Sequence, residues 1–427
     1  TDSLSWNVEK GRVTADVQTW DLVTLLENVA TATGWDIYVE PKTRLQASVK
    51  FKERPPGEAL KMLLGNLSYA LLPQTNGPSK LYVFRNNRND ATQLVRGRKK
   101  SSKLDKELIV TMKPGGSLDT NALGAKITGK IDKFNAYRLE FKDAAAAEEA
   151  RKKLEQDGNV DVVDSNYDIL RPPDGEALSV SSVPGLDLKI KPNESGGGPI
   201  IGLIDTAIQK QPGREGFYLP PLSVSGDATI PGDVPTHGTA MAQAILTAMG
   251  LVKDGGDVSG IRIQPVDIYG DAPSSSTFQL VQGILKALEQ GANPINLSLG
   301  SEAGNELLHR VISEASKQGI LFFAAAGNQP TTAPTFPAAY PEVTAVTAVD
   351  RGGRIAPYAN YGSFVDVGAP GSIIVPFNDQ SFVVMGTSPA TAWASGVAGS
   401  LLASGVPASS IPGKLESIMA VPPVPQK

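Results

Sequence analysis

The feature that most constrains the fold is a series of short, continuously apolar segments in the second half of the chain. They fall at 200–204, 294–299 and 321–326 and alternate with stretches whose apolar residues recur at helical spacing. Gly291 and Gly319 end the two clearest of these helical stretches. Apolar strands that alternate with amphipathic helices indicate an α/β fold whose mainly parallel sheet is covered on both sides.

Four polar residues stand where the carboxyl ends of these strands are expected, which is where such sheets place their active sites. Asp205 follows the first apolar segment and Asn328 follows the third, while His237 and Ser388 each precede a run of small residues. The chain's other histidine, His309, lies on a helix face without a motif and is expected to be a surface or packing residue. Taken singly, an Asp after a strand or a Gly-Asn pair would indicate only a cap or a turn.

These residue types suit nucleophilic catalysis. A serine hydroxyl is a poor nucleophile and needs an adjacent base, which His237 can supply to Ser388. A carboxylate such as Asp205 can hold the imidazole in one tautomer and stabilise its cation. The chain contains no cysteine, so a cysteine nucleophile, a thiolate metal site and a disulfide framework are excluded.

The segments around these residues resemble those of the subtilisin-like serine peptidases. They read IGLIDTAI, HGTAMA, INLSLG, AAAGN, YPEVTAVTAVD and GTSPATAWASGVAG, in the order Asp, His, Ser. The resemblance runs from about 199 to 405. It implies a subtilisin-like three-layer domain over 199–427 and a serine endopeptidase that works through an acyl-enzyme.

The resemblance also implies roles for single residues. Asp205, His237 and Ser388 would form the catalytic triad, and the Asn328 amide with the Ser388 N–H would bind the oxyanion. Such chemistry requires no cofactor. Many members of this family bind calcium, but no Asp-rich loop commits this chain to a structural calcium site, so that question stays open.

The family binds peptides between two extended segments, by main-chain pairing that tolerates many side chains. The matching stretches here are 269–272 and 299–301, and the candidate substrate-binding residues in them are Gly270, Asp271, Leu299, Gly300 and Ser301. Polypeptides are therefore the expected substrates, and the preferred residue before the cleaved bond cannot be read from the sequence.

Three positions depart from the family pattern. Ala207 stands two residues after Asp205, where glycine is usual, and would be strained if the backbone there had positive φ. Pro389 follows the nucleophile in place of methionine and is tolerated at the first helical position, and Trp393 replaces a common histidine as a packing residue. Because of Ala207, an alternative is a catalytically impaired subtilase-fold scaffold or binding protein.

The first block, 1–86, reads as β-α-β-β-α-β, with helices from Leu22 to Gly34 and from Pro56. Its segments WDIYVEP and PGEALKMLL resemble the short N-terminal domain of secretins and TonB-dependent receptors, and the alternative is any small α+β module. A basic linker follows at 87–104. It is too short and too poor in aromatic residues to indicate nucleic-acid binding.

The second block, 105–172, contains strands near 107–112, 136–141 and 160–163. Residues 144–155 are mostly strong helix formers and predict a helix. ELIVTMKPG, NAYRLEF and GNVDVVDSNYDI resemble the ferredoxin-like inhibitory propeptide of subtilisin-like peptidases. A connector rich in Pro, Gly and Ser follows at 173–198. This order implies a zymogen whose own propeptide lies in the cleft, with the segment near 167–170 as a product-like strand.

The overall composition is that of a soluble globular protein with a net charge of −4, and no apolar run is long enough to span a membrane. Thr1 is preceded by no signal segment in this sequence, which predicts a processed or trimmed form. A propeptide is typical of exported enzymes, so a periplasmic or extracellular location is expected. By analogy, the first block is expected to bind an envelope protein.

Overall fold

The computed structural model describes residues 3–8, 10–40, 43–73, 78–95, 103–174, 176–177, 192, 197–230, 232–251 and 258–423. The chain divides into two compact units, Thr1–Lys100 and Ser101–Lys427. Each unit is described by itself below. Most of the predicted connector 173–198, and the basic residues at 96–100 of the predicted linker, lie outside the described residues.

The first unit is an α+β module with two sheets, ordered β1-β2-β4 and β5-β6-β3-β7. Its strands are β1 Ser3–Asn7, β2 Arg12–Asp21, β3 Asp36–Val39, β4 Gln46–Arg54, β5 Ser68–Leu72, β6 Lys80–Phe84 and β7 Gln93–Val95. Its helices are α1 Leu22–Thr33 and α2 Pro56–Leu64. Alternating strand residues and the apolar helix faces share one core.

Both helices of this unit begin at the residues that the sequence predicts, and α1 also ends at the predicted Gly34. The Asp21 side chain accepts the Thr24 N–H at the start of α1, and Gly34 ends that helix in the left-handed conformation with φ 71°. The sequence analysis missed β1, β5 and β7. Strand β7 pairs with β3, so the sheet extends into the segment predicted as a linker.

The second unit begins with what we call the middle module, Lys103–Leu170. It has the order β-α-β-β-α-β that ferredoxin-like folds use, and its elements are β8 Lys103–Met112, α3 Thr120–Leu123, β9 Lys126–Ile131, β10 Ala136–Glu140, α4 Ala144–Leu154 and β11 Val160–Leu170. Strand β9 was not predicted. The module's strands lie in the order β11-β8-β10-β9.

The C-terminal module, residues 197–423, is built on a sheet of seven parallel strands in the order β14-β15-β13-β17-β18-β19-β20. Those strands are β13 Ile200–Asp205, β14 Leu222–Ser223, β15 Arg262–Asp267, β17 Ile295–Leu297, β18 Phe322–Ala325, β19 Val343–Val349 and β20 Val367–Pro370. The sheet confirms the predicted parallel α/β architecture.

Helices cover both faces of this sheet. They are α5 His237–Leu251, α6 Thr277–Glu289, α7 Glu306–Ser316, α8 Thr387–Ala403 and α9 Ile411–Ile418. Residues of α6 and α7 share one apolar cluster with β13 and β17. Residues of α5 and α8 belong to two further clusters, with strand residues such as Leu203 and Val346. Three layers result.

Two short strands, β16 and β12, lie where the chain of the middle module meets the C-terminal module. Strand β16, Ser274–Ser276, belongs to the C-terminal module but pairs antiparallel with β11 and so extends the sheet of the middle module. Beyond β11, strand β12, Glu176–Ala177, pairs antiparallel with β22, Gln380–Met385, which pairs in turn with β21, Ser372–Phe377. Among the described residues, no helix is both long and apolar enough to cross a membrane.

Candidate active site

Asp205 and His237 meet at the carboxyl edge of the parallel sheet. Asp205 is the last residue of β13 and His237 is the first residue of α5. His237 Nδ1 lies 2.8 Å from Asp205 Oδ1 and 2.9 Å from Oδ2, and the two residues are 2% and 1% exposed. An ionised carboxylate only accepts hydrogen bonds, so Nδ1 carries the proton and Nε2 is left as a base.

A glycine lets the start of α5 approach β13. The Gly238 N–H donates to Thr206 Oγ1 at 2.8 Å, and a Cβ on Gly238 would lie 2.2 Å from the Thr206 carbonyl oxygen. Because the nearest atom is a backbone oxygen, an alanine side chain at this position would force the backbone to move. The residue after the histidine must therefore be glycine if the two side chains are to stay in contact.

We expect Gly238→Ala to lower the free energy of unfolding by about 1–3 kcal/mol, the usual cost of overpacking. It should also lower kcat/KM, because α5 must move away from β13 and take His237 with it. Thermal unfolding and peptide hydrolysis measure the two effects. Gly413→Ala is the matched control, since a Cβ there meets nothing within 4 Å; a Gly238→Ala protein as active and stable as that control would contradict this account.

The strain considered for Ala207 does not arise. The non-glycine residues with positive φ in the described chain are Thr19, Glu53, Asn135, Asn378 and Asp379. Ala207 is not one of them, and its carbonyl accepts the Thr236 hydroxyl at 2.7 Å. The alanine therefore gives no reason to expect distorted triad geometry.

Ser388 is the second residue of α8, and polar contacts with β17 fix its backbone. The Ser298 hydroxyl donates to the Ser388 carbonyl at 3.0 Å and accepts the Asn296 amide at 3.0 Å. In turn the Ser388 hydroxyl donates to the Ser298 carbonyl at 3.2 Å. Ser388 is 9% exposed. Its hydroxyl must rotate away from Ser298 before it can donate to a base.

Asn328 lies in the loop that follows β18, facing the start of α8. Its Oδ1 accepts the Thr387 N–H at 2.8 Å and the Thr387 hydroxyl at 3.1 Å. This anchoring fixes the amide plane and leaves Nδ2 to donate elsewhere. Gly386, with φ 148°, permits the approach, because a Cβ there would lie 3.0 Å from Asn328 Nδ2. The sequence analysis missed Thr387 as the anchor.

Pro389 differs slightly from its expected position, while Trp393 and His309 pack as expected. Pro389 is the third residue of α8 rather than the first, but it still lies in the first turn, where N–H groups have no partner within the helix. Trp393 packs against the cluster around α8. His309 stacks on Tyr340 with ring centroids 4.4 Å apart, and its Nε2 lies 3.0 Å from Glu342 Oε2, so it is a packing residue.

The first predicted substrate segment is a turn rather than a strand. The Ala272 N–H bonds the Tyr269 carbonyl at 3.0 Å, Gly270 has φ 55°, and Asp271 Oδ1 accepts the Thr229 N–H at 2.6 Å. The extended edge is instead β16, a few residues later. The extended geometry expected for 269–272 is not observed because Gly-Asp-Ala-Pro favours a turn, while three serines give no apolar signal for the strand.

One residue of the second predicted substrate segment, 299–301, already pairs with another part of the protein. Ser301 exchanges both backbone hydrogen bonds with Phe336, each at 2.8 Å. Its N–H is therefore engaged and cannot donate to a peptide at the same time. Leu299 and Gly300 remain as candidates for pairing.

The middle module and the chain after it occupy this edge of the C-terminal module. Asp168, Ile169 and Leu170 of β11 pair with Ser276, Ser275 and Ser274 of β16. Farther along, Asp174 Oδ1 accepts the His237 backbone N–H at 3.1 Å. The sequence analysis missed Asp174, which lies in the predicted connector and belongs to no motif.

Among the described residues, no cluster of three or more His, Cys, Asp or Glu side chains could hold a metal ion.

Comparison with known proteins agrees with this arrangement. The model of the Subtilase family matches residues 196–412, and that of the Fervidolysin N-terminal prodomain matches 89–166. Thermitase of Thermoactinomyces vulgaris is 34% identical over 227 residues, which are 52% of this chain and 81% of that protein. A thermostable alkaline protease of Halalkalibacterium halodurans is 26% identical over 313 residues, 70% of this chain and 81% of that protein.

A solved structure has the same fold over a longer stretch. Fervidolysin from Fervidobacterium pennivorans, described as a keratinolytic enzyme related to subtilisin, superposes with a TM-score of 0.57 at 18% identity, covering 75% of this chain and 58% of that one. The match at this identity concerns the fold alone. The family models and the sequence relatives show that the chain belongs to the subtilase family and is a subtilisin-like serine endopeptidase with a prodomain.

Proposed function

We propose that the protein hydrolyses internal peptide bonds of polypeptides through an acyl-enzyme on Ser388 and is made as a self-inhibited zymogen. His237 is the general base, Asp205 orients and stabilises it, and Asn328 is an oxyanion donor. The observation that carries the proposal is the buried contact between His237 Nδ1 and the Asp205 carboxylate at the end of β13. The neighbouring strand β17 leads into Ser298, whose hydroxyl donates to the Ser388 carbonyl at the start of α8.

The proposed reaction begins when the Ser388 hydroxyl rotates from Ser298 toward His237 Nε2 and attacks the substrate carbonyl. Nε2 takes the hydroxyl proton and later gives it to the leaving amine, and water then hydrolyses the ester. Negative charge on the carbonyl oxygen is met by the Ser388 N–H and the Asn328 Nδ2. Both donors lie at the N-terminus of α8, where the helix dipole favours an anion.

The test is hydrolysis of a fluorescent casein by the full chain together with labelling by a fluorophosphonate probe. We expect casein fragments, and mass spectrometry should find the probe on Ser388 alone. Labelling elsewhere, or no hydrolysis by protein that has lost its prodomain, would contradict the proposal. The chemistry requires no cofactor, so initial rates should be unchanged in excess EDTA; an immediate loss of rate would show dependence on a metal ion.

Asn328→Ala is expected to lower kcat by about 10²–10³-fold with little change in KM. The amide meets charge that exists only in the transition state, and the magnitude is that known for the corresponding donor of subtilisin. Steady-state kinetics on a peptide substrate measure both constants. Gln329→Ala in the same loop is the control, and an effect of Asn328→Ala confined to KM would refute the oxyanion role.

The zymogen proposal is supported by the path of the chain. Strand β11 pairs with β16, Asp174 accepts the His237 backbone N–H, and β12 pairs with β22. A peptide substrate would need the same edges. The covalent tether keeps the middle module at high effective concentration. Cleavage within about 168–198 and loss of the prodomain would then release activity.

The remaining expectations stand as parts of the proposal. With Ala207 unstrained, no observation favours the impaired-scaffold alternative. The prodomain supports export to the periplasm or the outside of the cell, which fractionation of producing cells would test. The likeness of residues 1–86 to a secretin or TonB-receptor domain, and the envelope partner inferred from it, rest on sequence analogy alone.

A further inference from the structure

Arg171 belongs to the chain segment between strand β11 and Asp174, the residue that accepts the His237 backbone N–H. It follows β11 directly, and its N–H donates to the Pro273 carbonyl at 3.0 Å, which continues the pairing with β16. The preceding carbonyl, of Leu170, accepts the Tyr269 hydroxyl at 3.3 Å. Three residues later Asp174 contacts His237, so at most about 11 Å of extended chain separates Arg171 from that contact.

The guanidinium of Arg171 is bound by a carbonyl in a rigid turn. Nη1 donates to the Gly270 carbonyl at 2.6 Å. Gly270 has φ 55°, and a Cβ there would lie 2.8 Å from the Ser225 carbonyl oxygen, so this turn requires glycine. The Gly270 N–H is held in turn by Asp267, at 3.1 Å from Oδ1 and 3.2 Å from Oδ2. The acceptor is therefore fixed before any ligand arrives.

Two carboxylates near this turn interact electrostatically with the Arg171 charge. Asp267 is 5% exposed and pairs in register with Asp205 of the triad, and the exposed Asp271 is held by Thr229. Burial raises the pKa of Asp267, while hydrogen bonds from Tyr269 and Gly270 and the charge of Arg171 oppose that rise. Burial also keeps the pKa of Tyr269 well above its usual range, so its hydroxyl stays a neutral donor.

We infer that Asp267, Gly270 and Asp271 form a subsite for a cationic side chain, which selects polypeptide substrates with arginine, and less strongly lysine, at the position that Arg171 occupies. The inference rests on the proposed function and names its substrate class. Arginine fits better than lysine, because its planar fork can donate to the Gly270 carbonyl while its charge faces the carboxylates. An acidic side chain would be repelled by the carboxylates of Asp267 and Asp271. It also could not form a hydrogen bond with the Gly270 carbonyl, because both groups are acceptors.

The test uses full chain that has been incubated until its hydrolysis of fluorescent casein is constant. Peptides with the sequence of residues 167–175 carry Arg, Lys, citrulline or Glu at position 171. Alanine replaces Pro172 and Pro173, since proline fixes φ and lacks an N–H. We expect kcat/KM to fall in the order Arg, Lys, citrulline, Glu. Citrulline keeps the shape without the charge, so arginine should exceed it about tenfold, as a charge-assisted hydrogen bond exceeds a neutral one.

Two variants assign the preference to these residues. Asp267→Asn should shrink the ratio of arginine to citrulline, and Asp271→Asn, at an exposed side chain, should shrink it in part without risk to folding. Glu289→Gln, at the exposed end of α6, removes the same charge far from the site and should leave the ratio unchanged. Equal kcat/KM for arginine and citrulline, with casein still hydrolysed, would overturn the subsite alone. Failure to hydrolyse casein would overturn the proposed function and the subsite together.

Discussion

Ser388→Ala is expected to abolish peptide hydrolysis, lowering kcat by about 10⁶-fold, the loss known for the nucleophile of subtilisin. The substitution removes one oxygen atom from a side chain whose hydroxyl donates to the Ser298 carbonyl. The Ser388 carbonyl and N–H stay in place, so the contact from the Ser298 hydroxyl is kept. Hydrolysis of fluorescent casein and thermal unfolding of the purified variant measure the loss of activity and the retained fold.

Ser400→Ala is the matched control, because Ser400 is a fully buried serine of the same helix whose hydroxyl bonds the Gly396 carbonyl at 3.0 Å. It should cost a little stability and no activity. A Ser388→Ala protein that hydrolysed casein at more than a trace of the wild-type rate would show that Ser388 is not the nucleophile. Adding His237→Ala should lower the rate little further, since the members of a triad act as a unit.

The C-terminal module could be predicted well because its signals are strong. Strands buried on both faces appear in the sequence as apolar runs, and the polar residue after each run lies at the edge where the sheet ends. That is why Asp205 and Asn328 stood out, and the parallel sheet places their strands two apart, in the order β13-β17-β18. Short elements with weak periodicity, such as β9 and β14, gave no comparable signal.

Contacts between residues that are far apart in the chain could not be predicted from the sequence. Strand β16 consists of Ser274–Ser276, and it is a strand because β11 pairs with it, more than 100 residues earlier in the chain. Asp174 and Arg171 acquire their contacts only when the chain after β11 lies across the sheet edge. In the first unit, β1 and β5 were missed for the same reason: each is short and depends on the neighbour with which it pairs.

The middle module contacts the C-terminal module through the first turns of two helices. The Phe278 N–H of α6 donates to Asn166 Oδ1 at 3.1 Å, and the Leu307 N–H of α7 donates to Asp164 Oδ2 at 3.1 Å. Side chains of the middle module thus satisfy N–H groups that a helix cannot pair internally. Burial of Asp164 raises its pKa, and the Leu307 hydrogen bond opposes that rise.

Phe278 is the apolar centre of this contact. It is fully buried among residues of both modules, including Ile109 and Ile131 of the middle module. The Arg138 guanidinium lies 5.5 Å from its ring centroid. A Cβ on Gly129 of β9 would lie 2.5 Å from Phe278 Cε1, so the glycine makes room for the ring. The packing of the two modules therefore depends on the absence of a side chain at Gly129.

Gly129→Val is accordingly expected to weaken self-inhibition strongly while leaving the triad untouched. Overpacking costs about 1–3 kcal/mol, which corresponds to a shift of about 5- to 150-fold in the equilibrium between docked and released middle module. We expect the full chain carrying this substitution to be labelled by a fluorophosphonate probe faster than the wild type by a factor in that range. It should also hydrolyse casein sooner, with the prodomain lost at an earlier time in the digest.

Gly158→Val is the matched control, since Gly158 belongs to the same module and a Cβ there meets nothing within 4 Å. If general loosening of the middle module released activity, both variants would be labelled quickly. If docking on Phe278 keeps the cleft closed, only the Gly129→Val chain will be labelled quickly. Faster proteolysis of Lys103–Leu170 in the Gly129→Val chain would show that the middle module is displaced. If such a chain were still labelled only at the wild-type rate, this module would not shield Ser388, and its role would be to assist folding.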